Sequence, residues 1–378
     1  MKKVVVAIDS FKGCMSSVEL GHAALEGVRD VFPACEVVCV PVADGGEGLL
    51  EALMADEGYF VDIQATDPLK NRIDTRYGLL SEGKTALIEM AAISGLTLVP
   101  PDKRNPMITT TFGTGELIRD ALDRGCRDFI IGIGGSATND AGMGMLQALG
   151  YKFVDSLGHE LDGCGEAMEQ VTDIISADRH PALNESRFTV ACDVTNPFCG
   201  KNGAAYIFAR QKGADDEMIE TLDRGMKSFA KVVRRVTGKD IENFSGAGAA
   251  GGIGGAFLAF LNAELKPGIK LLLDYNRFDE RIEGADLVIT GEGRADRQTI
   301  MGKVPFGILQ AAKPRNIPVF LIAGGVEDAE ILNNEGFTGV FPIASGPCSL
   351  EEAMNPQTAY GNVKRTITQI CRTITIII

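Results

Sequence analysis

Phe129-Ile130-Ile131-Gly132-Ile133-Gly134-Gly135-Ser136-Ala137-Thr138-Asn139-Asp140-Ala141-Gly142-Met143-Gly144 passes from an apolar run into glycines and small hydroxylated residues, and then into a helix pattern. Phe129–Ile131 with Ile133 reads as a buried strand. Met143, Leu146 and Leu149 recur at helical spacing up to Gly150, with Asn139 or Asp140 as the start of that helix. A strand that delivers Gly134, Gly135, Ser136 and Thr138 to a helix N-terminus brings together backbone N–H groups, glycine clearance and two hydroxyls. Those are the requirements of an anionic oxygen. A tight turn that packs helix on strand would use the same residues.

Outward from this stretch, both ends of the chain have the texture of parallel α/β units. Lys3–Ile8 reads as a buried strand, Ser16 with Glu19 as a capping box opening a helix, and Glu36–Val42 as the next strand. The loops Asp9–Lys12 and Asp44–Gly48 then fall on the same rim, at the carboxyl ends of the strands. Near the other terminus Asp286–Thr290, Pro318–Ala323 and Gly339–Ile343 supply three more strands. Five such strands predict a flavodoxin-like parallel sheet, interrupted by an inserted α/β domain whose hairpin-rich start makes its sheet mixed. By texture the boundaries are 1–61 and 284–378 for the first domain and 62–283 for the insertion.

Three glycine motifs inside the insertion need separate treatment. Gly78–Thr85 matches GxxxxGK[ST] letter for letter, but Ser81-Glu82-Gly83-Lys84 reads as a turn between two strands, where a phosphate loop would open a helix. Gly246–Gly251 matches GxGxxG, yet a polar segment precedes it, so close packing through small residues or a second phosphate cradle fits better than a dinucleotide fingerprint. Thr110, Thr111, Gly113, Thr114 and Gly115 precede a helical stripe and read as a capped entry or as a second anion site.

Composition narrows the functional classes. The 378 residues suffice for about two domains, and 45 glycines point to many tight loops. A net charge of −14 argues against nucleic acid or an anionic membrane as partner, while leaving room for small anions held by local groups. Asp9 interrupts the N-terminal apolar run too early for a signal peptide, and no membrane segment is visible. Nine scattered cysteines without framework spacing fit the reduced thiols of a cytoplasmic protein. His22, His159 and His180 are isolated, so any divalent metal would be magnesium on carboxylates and substrate oxygens.

The loops Asp9–Lys12, Asp44–Gly48 and Gly291–Thr299, with Lys303 beyond, each join glycine to a carboxylate or a lysine. Phosphoryl transfer to an alcohol asks for such parts. DSFKG at 9–13, PVADGGEG at 41–48, FGTGELI at 112–118, GIGGSATNDAGMGM at 132–145, ACDVTNP at 191–197 and ITGEGRADRQT at 289–299 resemble bacterial glycerate kinase of the two-domain type. The likeness runs from the first strand to about Gly346. Residues 13–15 and 48–50 depart modestly, and the tail after Pro347 matches loosely.

The resemblance implies an ATP- and magnesium-dependent kinase that phosphorylates D-glycerate to the 2-phosphate, with its active site in a cleft between two domains. On chemical grounds Lys12, Asp193 and Asp296 are the candidate catalytic residues, the two aspartates also being candidates for magnesium. Asp9, Ser10, Asp44, Gly45, Gly46 and Glu47 are the candidates for substrate. Gly134, Gly135, Ser136 and Thr138 are assigned to ATP, as are Gly113, Thr114, Glu292, Gly293 and Lys303. A homo-oligomer is left open. A non-catalytic sugar-acid sensor and a nicotinamide-dependent oxidoreductase are the alternatives; glycerate-dependent ATP consumption separates the kinase from the sensor, and a nicotinamide absorbance assay tests the oxidoreductase.

Overall fold

The computed structural model describes residues 1–43, 48–54 and 58–375. The candidate substrate residues Asp44, Gly45, Gly46 and Glu47 lie outside the described residues. In chain order the strands are β1 (Lys3–Ile8), β2 (Glu36–Cys39), β3 (Tyr59–Thr66), β4 (Arg72–Leu80), β5 (Thr85–Glu89), β6 (Asp128–Gly132) and β7 (Lys152–Val154). They continue as β8 (Asp173–Ile175), β9 (Arg187–Ala191), β10 (Glu264–Lys266), β11 (Leu287–Ala295), β12 (Val319–Val326) and β13 (Gly339–Pro342). The chain divides into two compact units, one of Met1–Asp44, Glu51–Ala55 and Ile269–Ile378, the other of Gly45–Leu50 and Asp56–Gly268.

The first unit is built on an all-parallel sheet in the order β13-β12-β11-β1-β2. Counted along this unit the order is 2-1-3-4-5, the flavodoxin-like arrangement, and its switch point lies between β1 and β11. Helix Ser17–Arg29 follows β1 and opens on the expected capping box: Ser16 Oγ accepts the Glu19 N–H, and Glu19 Oε2 accepts the Ser16 N–H at 2.8 Å. Its buried face, with Leu20, Ala24 and Val28, meets Ala359, Val363 and Ile367 of the C-terminal helix Pro356–Ile374. Strand β11 runs on to Ala295, so Gly291–Ala295 is not loop: Glu292 pairs with Ala323 and Arg294 with Gly325 of β12.

Residues 269–283 sit in this first unit, some fifteen positions earlier in the chain than texture placed its return. The reason is packing. Ile269, Leu272, Phe278 and Ile282 are buried, Gly307 lies against Ile269, and Arg315 pairs with Asp279 at 2.9 Å.

The second unit carries a mixed sheet in the order β10-β9-β6-β5-β4-β3. β3, β4 and β5 form an antiparallel meander, after which β5, β6, β9 and β10 run parallel. Leu80 pairs with Thr85, and Glu82 and Gly83 take positive φ between them. Gly78–Thr85 is therefore a hairpin turn with a phosphate-loop spelling. Phe129 of β6 stacks on Phe188 of β9 at 4.6 Å. Helix Asp216–Thr237, capped by Asp215, buries Ile219, Leu222, Met226, Phe229 and Val233 against this core.

Candidate active site

In the first unit the carboxyl ends of β1, β11, β12 and β13 enclose a cavity of about 680 Å³. Asp9, Ser10, Lys12, Glu292, Gly293 and Lys303 all line it. These six candidates lie up to nearly three hundred positions apart in the chain, and the switch point of the sheet collects them. Open α/β sheets bind ligands at this place. Asp9 is buried and its Oδ1 accepts the Ser10 N–H at 2.7 Å. Glu292, also buried, is held on both oxygens: Thr299 Oγ1 donates to Oε1 at 2.6 Å and Lys303 Nζ to Oε2 at 2.9 Å. Lys303 thus enters the cavity wall already paired with an anion, and precedes helix Val304–Ala312.

Asp296 does not line this cavity. Its Oδ1 accepts the Gln298 N–H at 2.8 Å, its own N–H donates to Thr299 Oγ1 at 3.0 Å, and Oδ2 lies 3.8 Å from Arg294 Nε. Asp193, in the second unit, is exposed, and its Oδ1 accepts the Gly268 N–H at 2.9 Å. Both aspartates therefore hold chain turns.

In the second unit the Gly134–Thr138 turn is tied by its backbone to a neighbouring segment: Ala137 N–H donates to Ser94 O at 2.9 Å and Leu96 N–H to Gly135 O at 2.8 Å. Gly135, at φ +72°, is exposed, whereas the Ser136 and Thr138 side chains point inward and are buried. Lys212, 2 % exposed, reaches the turn from inside and donates to Ser136 Oγ at 2.7 Å and to Thr138 O at 2.6 Å. Burial pushes the Lys212 ammonium down to about 7, against the attraction of Asp140, which acts the other way. Thr138 Oγ1 and Asn139 Oδ1 are buried without a partner among the described residues.

The helix after the turn starts at Met143, behind Gly142 in the left-handed region, and not at Asn139 or Asp140. Asp140 does more than begin a helix. Its Oδ2 accepts the Thr111 N–H at 2.8 Å, the Thr111 hydroxyl at 2.7 Å and the Gly144 N–H at 3.2 Å, and its Oδ1 accepts the Gly142 N–H at 3.0 Å. One buried carboxylate thereby serves the N-termini of Phe112–Asp123 and Met143–Ala148 together, where helix dipoles favour negative charge. Burial raises its carboxyl above the usual range, and those hydrogen bonds oppose the rise.

That arrangement decides the second anion candidate. Gly113 is sealed against Thr66 O, and the Thr114 hydroxyl shares a 2.8 Å hydrogen bond with Ser94 Oγ, so both are packed inside their own unit with partners already in place. The GxGxxG match at 246–251 is packing as well: Gly248 abuts Pro197 O, Gly251 abuts Thr138 O, and Ala141 N–H donates to Gly251 O at 3.0 Å. Sequence reasoning missed Lys212, Glu89 and the double role of Asp140. Glu89, at the end of β5, accepts the Leu50 N–H at 2.8 Å. No spacing or motif marks Lys212 or Glu89, because their partners are distant in the chain.

Among the described residues no three His, Cys, Asp or Glu side chains converge as metal ligands, and no helix is long and apolar enough to cross a membrane. A sequence model of the Glycerate kinase family matches residues 4–375, past the point where the motif likeness fades. The chain is 45% identical over 376 residues to the Escherichia coli K12 protein named glycerate 2-kinase, covering 99% of this chain and 98% of that one. It is 44% identical to a Bacillus cereus glycerate kinase, with 97% of each chain covered. A crystal structure from Salmonella typhimurium LT2, of a protein assigned as glycerate kinase 2, superposes with a TM-score of 0.90 at 43% identity, covering 99% of this chain and 98% of that one.

Proposed function

Because the chain belongs to the glycerate kinase family, we propose that it transfers the γ-phosphoryl group of ATP to the 2-hydroxyl of D-glycerate, giving 2-phospho-D-glycerate and ADP. The acceptor oxygen bonds to the γ-phosphorus as the bond from that phosphorus to the β–γ bridging oxygen breaks. The hydroxyl proton passes to a carboxylate. The observation that supports this reading is the cavity of the first unit, which joins three carboxylates, two lysines and an arginine to a glycine-bearing strand end at the switch point of a parallel sheet.

Lys12 is positioned in the cavity wall to neutralise the carboxylate of glycerate or the moving phosphate. Asp9 and Ser10 beside it suit the hydroxyl groups of the acid. Asp193 and Asp296 are the carboxylates assigned to magnesium and to proton acceptance. Magnesium typically keeps several waters and binds through one or two carboxylates plus phosphate oxygens. When bound, the ion would supply charge screening on the phosphates. In the second unit the exposed Gly134–Gly135 end of the turn is assigned to phosphate oxygens, with Ser136 held from behind by Lys212.

The test is an NMR product assay with ATP, magnesium and D-glycerate. Appearance of 2-phosphoglycerate with ADP is the expected result. The 3-phosphate would correct the hydroxyl assignment, and no glycerate-dependent ADP would remove the kinase reading altogether.

A further inference from the structure

The same cavity also has an apolar stretch of wall, alongside a charged lining that includes Arg294 and Glu327. On the β13 side its wall is made by Ile343, Ala344, Leu350 and Met354, and the side chain of Asn362 from the C-terminal helix completes it. Leu350 is 76% exposed and Met354 39%, two large apolar side chains left open at one mouth. Asn362 is 8% exposed and lines the cavity, where its carboxamide is open to a ligand.

Two glycines of the wall carry the same message. A Cβ on Gly325 would have no atom within 4 Å, and one on Gly293 would meet only Phe11 Cα at 3.9 Å. Neither has positive φ. Backbone conformation and internal packing therefore leave both positions open to larger residues, and the space that glycine keeps clear is cavity space.

We propose that this end of the cavity seats the adenine base of ATP, with Asn362 reading its edge. The proposal rests on the kinase reading above and adds where the nucleotide lies. A carboxamide offers one acceptor and a donor in a plane, the complement of the adenine N6 amine and N7; on the same edge guanine presents two acceptors, O6 and N7, so only one of the two bonds can form. Ile343, Met354 and Leu350 supply the apolar surface that a flat base covers. The charged residues Asp9, Lys12, Glu292 and Lys303 line the same cavity, so a nucleotide anchored at the apolar end has charged groups within one continuous space for its phosphates.

Two variants and one labelling measurement test it. In Asn362→Leu the KM for ATP should rise roughly tenfold or more, the preference for ATP over GTP should fall by a similar factor, and the KM for glycerate should stay as it was. Gly325→Val, at an exposed position, should raise the KM for ATP by filling the cavity while leaving the thermal midpoint within about 2 °C. Cys348, the one exposed cysteine of the nine, lines this cavity, so ADP should slow its alkylation by iodoacetamide in the unmodified protein. An unchanged KM for ATP in both variants, or a rise confined to glycerate, overturns the base seat while leaving the kinase reading intact. So does alkylation of Cys348 that ignores ADP in a protein that turns ATP over. Protection by ADP in a protein that makes no phosphoglycerate keeps the seat and sinks the kinase reading.

Discussion

Asp140 shows how one side chain can do the work of several caps. Four hydrogen bonds from two helix starts converge on a carboxylate with no exposed surface. Asp140→Ala strands those donors in the interior and should cost about 3 kcal/mol or more in urea unfolding. Lys212 makes a pH prediction. Its folded pKa, about 7, lies below its ordinary 10.5. Between those values the unfolded chain holds a proton that the folded chain lacks, so the contribution of Lys212 to stability rises with pH across that window and is flat below it. The stability difference between the unmodified protein and Lys212→Met should therefore move in favour of the unmodified protein from pH 7 to pH 10 in urea titrations. A difference that stays level would mean a lysine charged throughout. At the reacting centre, Asp193→Asn and Asp296→Asn should each lower kcat roughly a hundredfold or more with a smaller change in the KM for glycerate. Near-normal turnover, with unchanged magnesium dependence, would leave both as turn residues and move the base to Asp9.

The hairpin β4–β5 is the element whose letters and geometry point in opposite directions. Gly78–Thr85 spells a phosphate loop, but the chain after Gly83 enters a strand, so no helix N-terminus stands behind Lys84. Phosphate binding at such loops depends on that helix end and on a run of inward N–H groups. Lys84→Ala should leave ATP affinity, measured by calorimetry, within about twofold of its starting value. Legibility varied by element for a physical reason. Strands β1, β11 and β12, buried on both faces, read as unbroken apolar runs, and helix Ser17–Arg29 carried its capping box in plain view. The extension of β11 through Gly291–Ala295 was not readable, because its polar residues are held in strand form by pairing with β12 and not by their own preference.

For the molecule as a whole, the first unit depends on chain ends that meet. Helix Pro356–Ile374 lies along helix Ser17–Arg29, and the two approach so closely at Gly27 that a Cβ there would stand 2.7 Å from Lys364 O. Ala359, Val363, Ile367, Ile370 and Cys371 are buried in this seam. Three of the five, Val363, Ile367 and Ile370, are large aliphatic side chains, each worth about 1.5–3 kcal/mol on full burial, a sum within the range of a whole domain's stability. Truncation after Asn355 should therefore yield protein that is insoluble or lacks a cooperative thermal transition. A soluble truncated chain with a normal melting profile would show the seam to be dispensable.

Local pattern in the sequence was enough to identify the five parallel strands, the interrupted topology, the hairpin behind the phosphate-loop spelling, and the family. Each of these depends on periodicity, caps and motifs read within a few residues of one another. Other features were decided only by the tertiary structure: that Asp9, Lys12, Glu292 and Lys303 share one cavity, that Gly113 and Thr114 are packed away, and that Lys212 stands behind Ser136. Those relations join residues from 20 to nearly 300 positions apart. Burial, desolvation and hydrogen-bond geometry act through space, and a linear pattern records them only where the partners are also neighbours in the chain.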